Sequence, residues 1–120
     1  MNSASNVWEA DPWHASGAVA EAQLAGFRAR AAKPIEWEPI RSAGPTVFGV
    51  SVREWIGRDV EYYTTHDGED LLLMRLGWHG FPDPPEWRLA TRPSGNLEGP
   101  WAMWGYFADL PQAWIVPAGD

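Results

Sequence analysis

The stretch RDVEYYTTHDGEDLLLMRL, residues 58–76, decides the fold. Two strand-like runs flank His66-Asp67-Gly68, and Asp-Gly between such runs is the turn chemistry of a tight β-hairpin. The second run contains Leu71, Leu72, Leu73, Met74 and Leu76 without polar alternation, the pattern of a strand buried on both faces. A central antiparallel strand is therefore expected here.

Upstream, residues 16–32 are alanine-rich, with Val19, Leu24, Phe27 and Ala31 roughly at helical spacing. Ser16 is a natural N-cap, Pro34 marks the stop, and Arg28, Arg30 and Lys33 suit the negative end of the helix dipole. After Pro34 the period shifts to two. Residues 46–55 alternate through Val47, Val50 and Val52 and read as a strand, with a bulge or close approach at Gly49. Downstream, prolines 82, 84 and 85 make residues 77–85 a loop, and residues 86–91 form a short strand. A turn region follows at 92–100. Short strands at 101–104 and 114–116 are joined by a loop containing Pro111. The expectation is an α+β domain: one N-terminal helix, then a mostly antiparallel, strongly twisted sheet. Residues 1–15 form an N-terminal arm.

Composition narrows the function. A chain of 120 residues predicts one domain with its own core. The absence of cysteine excludes disulfides and thiolate metal sites. No basic-then-apolar leader and no apolar run of bilayer length are present, so a cytoplasmic protein without membrane contact is expected. A net charge of −7 disfavours nucleic acid and suits solubility or a basic patch on a protein partner. Nine tryptophans are many for this length, and two or three are expected at the surface, where indoles serve as interface anchors.

Acid–base candidates are weak. His66 lies among Asp67, Glu69 and Asp70, but a hairpin tip is solvated and reads first as a polar turn. His79, between Trp78 and Phe81, is a second candidate base in a pocket. Glu36/Glu38 and Asp59/Glu61 each place two carboxylates on one side of an extended segment, most simply a solvated edge. No nucleophile elbow, phosphate loop or zincin motif occurs. No catalytic residue, metal ligand or cofactor is assigned.

The last quarter reads NLEGPWAMWGYFADLPQAWIVPAG, residues 96–119. Two tryptophans ten residues apart, Trp104 and Trp114, can form a rigid slot if their rings face each other, or the two halves of one core contact. Asn96, Glu98, Trp104, Pro111, Trp114 and Gly119 keep the register of the MbtH-like proteins, and the segment resembles that family. Pro100, Ala102, Gly105 and Ala113 depart from its pattern. The resemblance implies a non-catalytic partner of a nonribosomal-peptide adenylation enzyme. In it Trp104 and Trp114 clamp a small side chain, Ala102 and Met103 lie on the docking strand, and Asn96, Glu98 and Pro111 shape the surrounding turns. Two alternatives stand beside it: an immunity or anti-defence inhibitor that plugs a basic site, and a small enzyme or ligand carrier with a Trp-lined pocket.

Overall fold

The computed structural model describes residues 8–14, 16–76 and 86–117. The architecture is α+β: one long helix, one short helix, a six-stranded antiparallel sheet and a separate two-stranded hairpin. The large sheet contains β1 (Trp8–Glu9), β2 (Glu38–Pro39), β5 (Val60–His66), β6 (Glu69–Arg75), β7 (Trp87–Pro93) and β8 (Ala102–Phe107), in the order β1-β8-β7-β6-β5-β2. The hairpin pairs β3 (Thr46–Val47) with β4 (Val50–Ser51).

The expected hairpin is present in full register from Thr64↔Leu71 to His66↔Glu69. Asp67 and Gly68 have φ of 53° and 76°, as a two-residue turn matching strand twist requires. β6 sits between β5 and β7, and its residues 71–74 are all buried. Leu71 and Leu73 point into one core with Phe27, Ile35, Trp37, Tyr62, Trp87, Leu89, Phe107 and Trp114. Leu72 and Met74 point into another with Ile40, Val47, Val52, Trp55, Val60 and Ala90. The period-two geometry of a strand explains the unbroken apolar run: each face has its own cover.

Helix α1 (Gly17–Ala31) covers the first face. Ser16 caps it by accepting from the Val19 amide, as expected. Its inward residues are Gln23 and Phe27, whereas Val19 is 38% exposed. The apolar spacing through Val19 therefore does not mark the buried stripe. Alanine is neutral enough to sit on either side, and tertiary contacts chose the face.

The second face is covered by the β3–β4 hairpin, the 3₁₀ turn Ile40–Ser42 and helix α2 (Val52–Gly57). Residues 46–55 are not one strand. Phe48 and Gly49 both take positive φ, 53° and 80°, and reverse the chain. The Ser51 hydroxyl then accepts from the Glu54 amide and starts α2. Trp55 Nε1 donates to the Val47 carbonyl at 2.8 Å and locks the new helix onto the hairpin. Residues 114–116 are likewise not a strand paired to β8. They make a single parallel bridge, Glu36↔Ile115, through Ile115 N to Ile35 O and Trp37 N to Ile115 O.

The N-terminal arm joins the sheet. β1 pairs with the far end of β8, Trp8↔Phe107 and Glu9↔Tyr106. Just beyond it Asp11 is 1% exposed, paired with Arg88, and its amide donates to Gln23 of α1. The arm thus leaves the sheet edge at Asp11 and turns at Pro12–His14 into the helix.

Candidate functional site

Strand β8 organises the site. Between Met103↔Ala90 and Tyr106↔Arg88 it carries one residue more than β7, a bulge at Trp104-Gly105. Gly105 takes φ 86°, and a Cβ there would lie 2.6 Å from the Glu9 carbonyl and 2.5 Å from the Trp8 indole nitrogen. Only glycine permits both the bulge and the close approach of β1. The bulge puts Trp104 and Phe107 on the α1 face, while Met103 packs toward the other core.

Trp104 is half-buried beneath α1. Its Nε1 donates to Thr91 Oγ1 at 2.8 Å, the Arg30 guanidinium lies 4.3 Å above its ring, and the ring fills the space a side chain at Gly26 would need. A Cβ on Gly26 would come within 2.2 Å of the ring. Gly26 is therefore the residue that lets helix and indole meet. Trp8 Nε1 donates to the Trp104 carbonyl at 2.7 Å, so the backbone at 104 is turned toward the β1 side.

Beyond that point no strand among the described residues pairs with the outer edge of β8. β1 reaches only Tyr106 and Phe107, and the N-terminal half of α1 overhangs the rest. The result is an open groove of about 430 Å³ lined by Ala18, Val19, Ala22 and Gln23 from α1 and by Trp101, Ala102, Met103 and Trp104. Most of these side chains are apolar. Trp101 is held by Arg92, whose guanidinium stacks 4.1 Å from the ring and donates to the Leu97 carbonyl at 3.2 Å. Arg92 and Asp70 are both buried, 3.7 Å apart, so the loop before β8 is tied to the sheet through a charge.

Three of the expected partner-binding residues, Ala102, Met103 and Trp104, therefore meet in one groove. Asn96 and Glu98 lie exposed on the preceding turn, beside Leu97, which is 54% exposed. Pro111 is buried and Trp114 is 6% exposed. The facing Trp104/Trp114 slot is not formed. Trp114 packs against Trp37 at 5.1 Å and Phe107 at 5.8 Å, and its Nε1 donates to the Arg30 carbonyl at the end of α1. The Arg30 carbonyl also accepts from the Lys33 amide at 3.2 Å, so the indole adds a second donor at the helix end and satisfies its own N–H inside the core. The groove residues on α1 were not anticipated. The available signal was the small-residue spacing Ala18, Ala22, Gly26, four apart on one helical stripe and ending under Arg30.

Of the nine tryptophans, Trp37, Trp55, Trp87 and Trp114 are buried, and Trp8, Trp101 and Trp104 are half-buried. Trp13 is 85% exposed, immediately before α1. Trp78 and His79 lie outside the described residues, as does Gly119.

His66 sits at the opposite edge of the sheet. It lines a polar cleft of about 300 Å³ with Pro34, Glu36, Glu38, Thr64 and Thr65. Its Nδ1 is 3.7 Å from Asp67. The hydrogen bond and charge of Lys33, with a smaller contribution from His66, hold the Asp67 carboxyl below the usual carboxylate range. Of the acidic residues grouped with His66 in the sequence, Glu69 faces α1 in a pair with Arg30, and Asp70 faces Arg92 in the opposite core. The cluster is thus divided between the two faces of β6. Among the described residues no group of three or more His, Asp or Glu side chains is arranged to hold a metal ion. No helix among them is long and apolar enough to cross a membrane.

No family model matches the chain, and neither a curated protein nor a solved structure resembles it closely enough to match.

Proposed function

We propose that this chain is a non-catalytic protein-binding domain whose docking surface is the groove between α1 and β8. The observation that supports it is the coincidence, among the described residues, of an apolar groove with a strand edge at Ala102, Met103 and Trp104 that β1 does not cover. The walls are held before any partner arrives. Trp104 is fixed by Thr91, Arg30 and Gly26, and Trp101 by Arg92. Preorganised aromatic walls lose little entropy on binding. The acidic balance of the chain suits a partner with a basic surface.

An accessory role on an adenylating biosynthetic enzyme is one form of this reading, and inhibition of a basic active site is another. In either form Trp104, Met103 and Ala102 carry the contact, and Trp114 supports it from within the core. Placing a photo-crosslinking side chain at Val19 or Ala102, with Arg53 of α2 as a control on the opposite face, tests the reading in the native cell. A discrete protein adduct from Val19 and Ala102, absent from Arg53, is the expected result. Equal or absent labelling at all three positions overturns it. Co-expression with adenylation domains separates the two forms: a soluble complex weakened by Trp104→Ala supports the accessory role.

A further inference from the structure

We infer that the groove receives an extended, cationic segment of the partner, which adds to β8 as an antiparallel strand beside Met103. This rests on the protein-binding reading and specifies its mode.

The edge geometry comes first. N–H and C=O groups of successive strand residues turn to opposite sides. The bonds from Leu76 N to Glu86 O and from Ser94 N to Gly68 O turn the even residues of β7 toward β6, so Thr91, not Ala90, bonds β8, and its partner there is Ala102. Ala102 therefore spends its amide and carbonyl on Thr91, while those of the next residue, Met103, turn to the open side, and β1 does not reach them. The arm is held away, because Asp11 is bound to Arg88 and Gln23 and Pro12 follows. An incoming strand can therefore continue the line that β1 leaves, antiparallel to β8, with main-chain bonds at Met103.

The groove then sets the side chains. Alternate residues of the added strand face α1, and there the walls are Ala18, Val19, Ala22 and the Trp104 ring. Small branched apolar side chains fit such a wall. The intervening residues meet charge. Glu9 on β1 and Glu98 before β8 are exposed and, among the described residues, form no ion pair, while six of the nine basic side chains, Arg30, Lys33, Arg58, Arg75, Arg88 and Arg92, are already paired within the chain. The carboxylates left over at this edge select lysine or arginine. They also oppose pairing with a second copy, which brings another net −7.

The test uses the full chain, isotope-labelled, and three synthetic peptides: one alternating lysine and valine, one alternating glutamate and valine, and the lysine–valine peptide with alternate backbone amides methylated. The lysine–valine peptide is expected to shift the amides of Ala102, Met103 and Trp104 together with Ala18, Val19 and Ala22. Its affinity should fall roughly fivefold or more between about 20 and 200 mM NaCl, as screening shortens the range of the carboxylates. Backbone methylation or the glutamate peptide should weaken binding about tenfold or more, since each removes one of the two recognition elements. Met103→Pro, which removes the edge-facing amide, should abolish binding, and Ala22→Phe, which fills the groove from the helix, should do the same without touching the strand. No binding of the lysine–valine peptide, shifts centred elsewhere, indifference to methylation, or dimerisation through Met103 in place of peptide binding each overturn the inference. If crosslinks from Val19 and Ala102 persist while the peptides fail, strand addition is wrong and the docking surface stands. If both fail, the protein-binding reading falls as well.

Discussion

The two edges of the six-stranded sheet are built alike and finished differently. Each ends in a two-residue strand that covers only part of its neighbour: β2 covers Tyr62 and Tyr63 of β5, and β1 covers Tyr106 and Phe107 of β8. Each leaves a cleft beside the remainder of that neighbour. At β5 the cleft is lined by Glu36, Glu38, Thr64, Thr65 and His66, with Pro34. At β8 it is lined by alanines, valine, methionine and indoles. Charges and proline are the usual means of keeping a strand edge from pairing with another chain. The β5 cleft is thus lined by charge and proline and the β8 groove by apolar side chains, and the difference lies in side chains, not in backbone topology.

The two tryptophans of the C-terminal segment belong to opposite sides of that contrast, and substituting them is the strongest way to separate the edges. Trp114 anchors the bridge from Ile115 to the strand leading into β2, and Trp104 forms the wall of the β8 groove. Trp114→Ala is expected to cost about 3–5 kcal/mol of stability in denaturant unfolding, the range for a buried aromatic. Trp104→Ala should cost about 1.5–3 kcal/mol, because that ring is only partly withdrawn from water. Equal losses for the two would mean that Trp104 belongs to the core as fully as Trp114, and the β8 groove would lose its preformed wall.

A smaller effect on stability, but a qualitative one on behaviour, is expected when the charge at the β5 cleft is removed. Glu36→Val with Glu38→Val should change unfolding free energy by about 0.5 kcal/mol or less, as surface substitutions usually do. It should nonetheless raise light scattering at neutral pH over hours at high concentration, because the β5 edge then resembles an unprotected one. Scattering no greater than wild type would show that the carboxylates do not protect this edge.

The smallest expected effect is a pH dependence at the hairpin tip beside the β5 cleft. Lys33 lowers the Asp67 pKa in the folded chain, so the pair stabilises the fold at pH values above the ordinary carboxylate range of about 3.9 and is lost as pH falls through the lowered value. Lys33→Ala should therefore reduce Tm slightly at pH 7, and the gap between variant and wild type should close in strong acid. A gap that persists unchanged to acid pH would show that Lys33 acts through packing and not through Asp67.

Local chemistry was legible where it acts alone. The Asp67-Gly68 turn, the doubly buried run at Leu71–Met74, the Ser16 cap and the α+β order of elements all follow from backbone preference and period. The segment 46–55 was misread as a strand because alternation cannot distinguish a strand from a tight hairpin followed by a capped helix. The first of its two positive-φ residues is Phe48, a type that rarely signals a turn. The groove was half legible. Ala102, Met103 and Trp104 stood out in the C-terminal segment, but their partners on α1 lie some eighty residues away in the chain, and no local pattern links them.

The sequence by itself determined that the chain forms a central antiparallel hairpin beside one helix, and that it carries more indole than a core of this size hides. Only the tertiary structure decided which indoles are hidden. Trp104 and Trp114 share a segment and a residue type, yet one indole bonds a threonine at the β8 edge and the other bonds the last turn of a helix inside the core. The physical reason is that burial of an amphipathic ring depends on where its N–H finds an acceptor and which surface its face meets. Both are supplied by elements distant in sequence: Gly26 and Thr91 for Trp104, Arg30 and Trp37 for Trp114.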